Sequence, residues 1–115
     1  MSRDYRLYLD DILEAIDRIG EYVQGMDEEA FGSDRKTQDA VIRNLEVIGE
    51  ASRSLSDEMK ARSNEIEWAK IVGFRNILAH EYFGVSIPIV WDIIQTKLDP
   101  LKKTCTELLR QMEKE

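Results

Sequence analysis

The chain has 115 residues, 43% hydrophobic and 34% charged, with a net charge of −7 and a pI of about 4.8. That length and balance describe one globular domain over residues 1–115, with a core thin enough to favour oligomerisation. No run of about 18 apolar residues offers a membrane span, the charged start Met1-Ser2-Arg3-Asp4-Tyr5 is not a signal peptide, and the lone Cys105 excludes an internal disulfide.

These features predict a cytoplasmic protein with Cys105 as a small buried hydrophobe. The acidic charge argues against a broad phosphate-binding surface, so any RNA contact must rest on a local basic groove. Neither DNA nor a membrane is an expected partner.

Tyr5, Leu9, Ile12, Ile16, Ile19 and Val23 recur at spacings of three and four, with Asp10, Asp11, Glu14, Asp17 and Glu21 between them. This predicts an amphipathic helix over about residues 4–24, stopped by Gly25. Residues 26–32 are polar and read as a loop. Ser33 or Asp34 caps a second helix to about Met59, whose stripe is Val41, Leu45, Ile48, Leu55 and Met59 with Ser52 among them. After a polar linker over residues 60–65, a third helix carries Trp68, Ile71, Val72, Leu78 and Ala79, until Gly84 and Val85 break the pattern. Ser86-Ile87-Pro88 starts a short fourth helix, and Asp99-Pro100 starts a last one bearing Leu101, Cys105, Leu108 and Met112. The reading is all-α, an antiparallel bundle of four to five helices.

The third helix contains the segment that packing alone does not explain. In Gly73-Phe74-Arg75-Asn76-Ile77-Leu78-Ala79-His80-Glu81-Tyr82 four polar groups interrupt an apolar helix, and His80 is the one histidine of the chain. At about 100° per residue Arg75, Ala79 and Tyr82 share a face, while Asn76 and His80 share another with Ala69 and Gly73. Arg75 and His80 then point about 140° apart. One site can use both if the helix bends, if Arg75 reaches round, or if two chains contribute. The small residues of the Ala69–Gly73 row suit close approach of a symmetry mate.

Such a set suits RNA cleavage by the 2′-hydroxyl. A histidine titrates near neutrality and serves as base or acid, so a dimer supplies both. Arg75 offers a planar fork to phosphate oxygens, and Asn76 donates to phosphate or holds the imidazole. The sequence holds no His/Cys/Asp cluster spaced as metal ligands, and no metal or other cofactor is expected.

Arg75-Asn76-Ile77-Leu78-Ala79-His80-Glu81-Tyr82 resembles the Arg, four residues, His, one residue, Tyr signature of HepT-type HEPN-domain toxins. Trp68 to Gly73, Asn44-Leu45-Glu46-Val47-Ile48-Gly49-Glu50-Ala51 and Val90-Trp91 are also similar to that family, so the likeness covers almost the whole chain. The resemblance implies a HEPN-like, dimeric, metal-independent endoribonuclease of a type VII-like toxin–antitoxin pair, whose partner is a minimal nucleotidyltransferase antitoxin. It implies that Arg75 and His80 are catalytic, that Asn76 supports them, and that Tyr82 accepts AMP from the partner. A rival reading makes the chain a non-catalytic HEPN subunit presenting nucleotide or substrate to a nucleotidyltransferase. A third is a helical dimerisation protein without a site.

Glu46 and Glu50 stand four apart on the second helix and read most simply as a solvated face or as partners for Arg43 and Arg53. Glu50 sits beside Gly49, which lets the third helix come close, and so is the candidate to support the site from behind. Trp68 and Trp91 read as core. Arg35-Lys36 with Arg43, and Lys60 with Arg62, are basic groups suited to guiding RNA or meeting an acidic partner but too sparse to carry weight, and Lys102-Lys103 reads as solvated.

Overall fold

The regular structure is helical throughout in the computed structural model, which describes residues 5–80 and 85–113, residues 79 and 80 by their backbone alone. Its helices are α1 (Arg6–Tyr22), α2 (Glu28–Gly32), α3 (Arg35–Arg53), α4 (Asp57–Ala61), α5 (Trp68–His80), α6 (Ile87–Thr96) and α7 (Leu98–Glu113). α1 packs against both α3 and α7, and α3 carries α5; α2 joins α3 to α6, which packs on α7.

The predicted stripes meet in this core. Leu9, Ile12, Ile16 and Ile19 of α1 are buried against Val41, Leu45 and Ile48 of α3 and Leu98, Leu101, Cys105 and Leu108 of α7. Each such aliphatic side chain contributes about 1.5–3 kcal/mol by leaving water. Val23 and Tyr5 close the ends of the α1 stripe half-buried. Gly25, at φ 78°, makes the turn after α1, a conformation that a side chain would strain.

Two expectations need correction. The predicted loop over residues 26–32 contains α2, because Asp27 caps it by accepting from the Ala30 N–H at 2.8 Å and Glu28 and Glu29 suit its first turn. Its Phe31 is fully buried, 5.3 Å between ring centroids from Trp91. The second helix does not reach Met59 unbroken. It stops at Arg53, where Ser54 Oγ donates back to the Glu50 carbonyl, and Ser56 caps α4 by accepting from Met59 N–H at 3.1 Å. The change of direction keeps both Leu55 and Met59 buried.

Elsewhere the signals hold with small shifts. Asp34 rather than Ser33 caps α3, accepting from the Thr37 N–H and hydroxyl, and those bonds hold its carboxyl below the usual range. Ser86 caps α6. α7 begins at Leu98, so Asp99 and Pro100 lie in its first turn and Lys97 alone separates it from α6. Lys102 is exposed but not merely solvated, since its Nζ lies 3.0 Å from Asp17 on α1. No helix among the described residues is long and apolar enough to cross a membrane.

Candidate functional site

α5 differs from the other long helices in that its apolar residues are spread around it instead of gathered on one stripe. A helix of that kind is ordinarily buried all round. Here one side is not: Ala69, Gly73 and Asn76 are exposed and Ile77 is 45% exposed, while Leu78 and Trp68 face inward. Trp68 is fixed by its indole N–H donating to the Ser63 carbonyl at 3.2 Å. The row Ala69, Gly73, Asn76 that the sequence sets aside therefore does turn away from the chain's own core.

Arg75 turns the other way, onto α3. A Cβ placed on Gly49 would lie 2.3 Å from Arg75 Cβ and 2.8 Å from its Cγ, so the two helices touch through the missing side chain of Gly49. Beyond that contact the guanidinium is held at two points. Its Nη2 lies 3.1 Å from Glu50 Oε2, and its Nη1 donates to Asn76 Oδ1 at 3.2 Å. The head of Arg75 thus spans the two faces of α5 that ideal geometry separates. This reach, rather than a break in α5, brings Arg75 towards the Asn76 row, for α5 is continuous from Trp68 to His80.

His80 ends α5, one turn beyond Asn76, with only its backbone described, and Tyr82 lies outside the described residues. The structure therefore joins Arg75, Asn76 and Glu50 by direct contact and places the His80 backbone at the end of the same helix. Glu50 departs from its simplest reading: its recorded ion pair is with Arg75, not with Arg43 or Arg53. Glu46 keeps to it, with Arg43 at 3.7 Å.

Arg75 and Glu50 border a cleft of about 230 Å³ between α1, α3 and α5. Tyr8 and Asp11 of α1 line it, with Arg43 and Glu46 of α3 and Ser54 just past its end. Tyr8 and Asp11 carry no motif and sit on the turns of α1 that read as ordinary helix surface, so only the packing of α1 on α3 reveals them. Three carboxylates and two guanidinium groups share this lining, and each guanidinium has a carboxylate partner. The acidity of the whole chain thus extends into the cleft.

A second cleft, of about 320 Å³, lies between the start of α3 and the approach to α6, and Arg35 lines it. Arg35 and Arg43 therefore belong to different clefts and do not form one basic patch. Cys105 is fully buried, and burial pushes its thiol up to about 12, which makes it an inert core group.

The chain is also similar to known proteins. The family described as HepT-like (ribonuclease HepT-like) matches residues 12–108. The chain is 41% identical over 102 residues to a probable ribonuclease HepT of Thermococcus cleftensis, covering 89% of this chain and 93% of that protein. It is 37% identical over 106 residues to a candidate RNase of Caldanaerobacter subterraneus subsp. tengcongensis, covering 92% and 95%. A Methanocaldococcus jannaschii protein, named a gamma-glutamylcyclotransferase and candidate RNase, is 35% identical over 114 residues; they span 99% of this chain but only 51% of that longer protein. No solved structure gives a significant match. From its helical architecture, the motif carried by α5 and the extent of these matches, the chain belongs to the HepT-like ribonuclease family.

Proposed function

We propose that the protein is a metal-independent endoribonuclease, the toxin of a type VII-like pair, cutting RNA at a site built by two copies of the chain. The observation that carries this reading is Arg75, fixed at the mouth of a cleft by Glu50 and Asn76 on the helix that ends in His80. Family membership supports it, since the relatives are named as ribonucleases.

In the proposed reaction the imidazole of one His80 takes the proton from the RNA 2′-hydroxyl. The 2′-oxygen attacks phosphorus, the bond to the 5′-oxygen breaks, and the second His80 protonates that leaving oxygen. The products are a 2′,3′-cyclic phosphate and a 5′-hydroxyl. Arg75 neutralises the charge that grows on the phosphorane oxygens, the kind of fixed electrostatic aid that outweighs other single effects in many enzymes. Asn76 steadies the Arg75 head. A second copy would cover the exposed α5 row of Ala69, Gly73, Asn76 and Ile77 and bring the two His80 residues to one cleft.

The partner in this proposal is a minimal nucleotidyltransferase antitoxin. The Tyr82 hydroxyl attacks the α-phosphorus of ATP, loses its proton and releases pyrophosphate. The attached AMP brings bulk and negative charge that repel RNA.

One observation favours a second reading. The two guanidinium groups of the Arg75 cleft each have a carboxylate partner, which leaves too little positive charge for a long RNA backbone but enough for the few phosphates of one nucleotide, as in a non-catalytic subunit that holds a nucleotide for a nucleotidyltransferase. Incubation with total RNA in EDTA, beside the His80→Ala variant, separates the two. Cleavage to cyclic phosphate ends by the wild type alone supports the ribonuclease. Equal cleavage by both proteins refutes the role of His80, and none from protein shown by mass to carry no AMP favours the second reading.

A further inference from the structure

We infer that Glu50 is a positioning residue for Arg75: its carboxylate fixes the guanidinium so that the remaining N–H groups are presented to the phosphodiester. The inference rests on the ribonuclease reading and deepens it.

Three features carry it. Gly49 brings the Arg75 backbone onto α3, within reach of the next residue, Glu50. The Nη2–Oε2 distance of 3.1 Å then gives a charge-assisted contact, while Nη1 is turned to Asn76. A guanidinium has five N–H donors in one plane. Nη1 gives one hydrogen to Asn76 and Nη2 is ion-paired with Glu50, which among the described residues leaves Nε–H and a further hydrogen on each Nη for a phosphate, and fixing the plane fixes their directions. The site is also placed for this task rather than for stability. The Arg75 side chain is 27% exposed and that of Glu50 is 54% exposed, and ion pairs so open to water hold little folding energy. Glu50 lines the same cleft as Arg75, so its charge would oppose a phosphate that approached it directly. It therefore acts through Arg75 and is not itself a phosphate contact.

The test uses the full chain with Glu50→Ala and Glu50→Gln, the second keeping an acceptor oxygen without the charge. Initial rates on a short fluorescent RNA give kcat and KM separately, and melting curves check the fold. Side-chain ¹⁵N spectra, with Arg75 identified through Arg75→Lys, report rotation about the guanidinium bond. The expected result is a loss of about 10- to 100-fold in kcat for Glu50→Ala at nearly constant KM, the order that a misplaced group of about 1 Å produces. Glu50→Gln should restore most of it, and the Arg75 signal should show restrained rotation that Glu50→Ala releases. An unchanged kcat in Glu50→Ala overturns the inference. So does a lower KM, which would make Glu50 a competitor of phosphate. Should the wild type cut no RNA, the ribonuclease reading fails and the spectra decide: a released Arg75 upholds the hold by Glu50, and an unchanged one refutes it.

Discussion

Replacing Gly49 with alanine adds one methyl group at the point where α3 and α5 meet. That carbon would stand 2.3 Å from Arg75 Cβ, 2.8 Å from Cγ and 3.4 Å from Cα. Carbon atoms in contact settle at about 3.5–4.0 Å, so at least roughly 1.2 Å must be recovered. A rotamer change does not recover it, because Cβ moves only with the backbone, and α5 must back away from α3. Overpacking of this kind costs about 1–3 kcal/mol. Alanine inside a helix regains about 1 kcal/mol over glycine. The net expectation is a loss of about 0–2 kcal/mol, or a fall in Tm of up to roughly 8 °C for a chain of this size. Activity should suffer more than stability. A displacement of about 1 Å costs on the order of 100-fold in rate when it moves a group that contacts the reacting atoms. Melting by circular dichroism and cleavage of a fluorescent RNA on the same sample give both numbers. A variant that melts above the wild type by the helix-propensity gain and cuts RNA at the wild-type rate would refute the close α3–α5 contact and the role drawn from it.

Three further expectations follow from the same structure. Gly73 lies exposed on α5 with nothing within 4 Å of an added Cβ, so in one chain Gly73→Ala gains about 1 kcal/mol, as Gly20→Ala on α1 should. If a second copy covers the Gly73 row, sedimentation should show Gly73→Ala weakening the dimer and Gly20→Ala leaving it intact; equal dimers in both would remove that face from the interface. Ser52 Oγ is fully buried with no hydrogen-bond partner among the described residues, and such a group costs about 1–3 kcal/mol. Ser52→Ala should therefore raise Tm by a few degrees, and a fall would show that the hydroxyl is satisfied. Cys105, with its thiol raised to about 12 from 9.0, should resist a disulfide reagent at pH 8 until the protein unfolds. The folded state prefers the protonated thiol, so its contribution is complete below pH 9 and is lost as pH climbs from there to about 12. Rapid labelling of the native protein would contradict this burial.

What the sequence makes legible here depends on how many residues share a signal. The stripes of α1, α3 and α7 repeat over 16 or more residues each, and chance does not sustain such a pattern, so their core residues are readable in advance. α2 and α4 have five residues each, too few for any period, and only their caps, Asp27 and Ser56, announce them. The motif on α5 is legible for a different reason: Arg75, Asn76 and His80 interrupt a mostly apolar segment and so stand out against their neighbours. Direction is harder to read than presence. Ideal geometry sends Arg75 and Asn76 to different faces, yet the arginine is long enough to bond Asn76 while resting on α3. Glu50 shows the same limit. Its spacing from Glu46 marks a shared face, and its neighbour Gly49 hints at a close helix, but which cation it meets is decided by how α5 seats on α3. A local pattern can name the residues that pay for no packing gain; only the fold says which of them meet, and that is why Gly49, with no side chain at all, is the position whose alteration should disturb this site most.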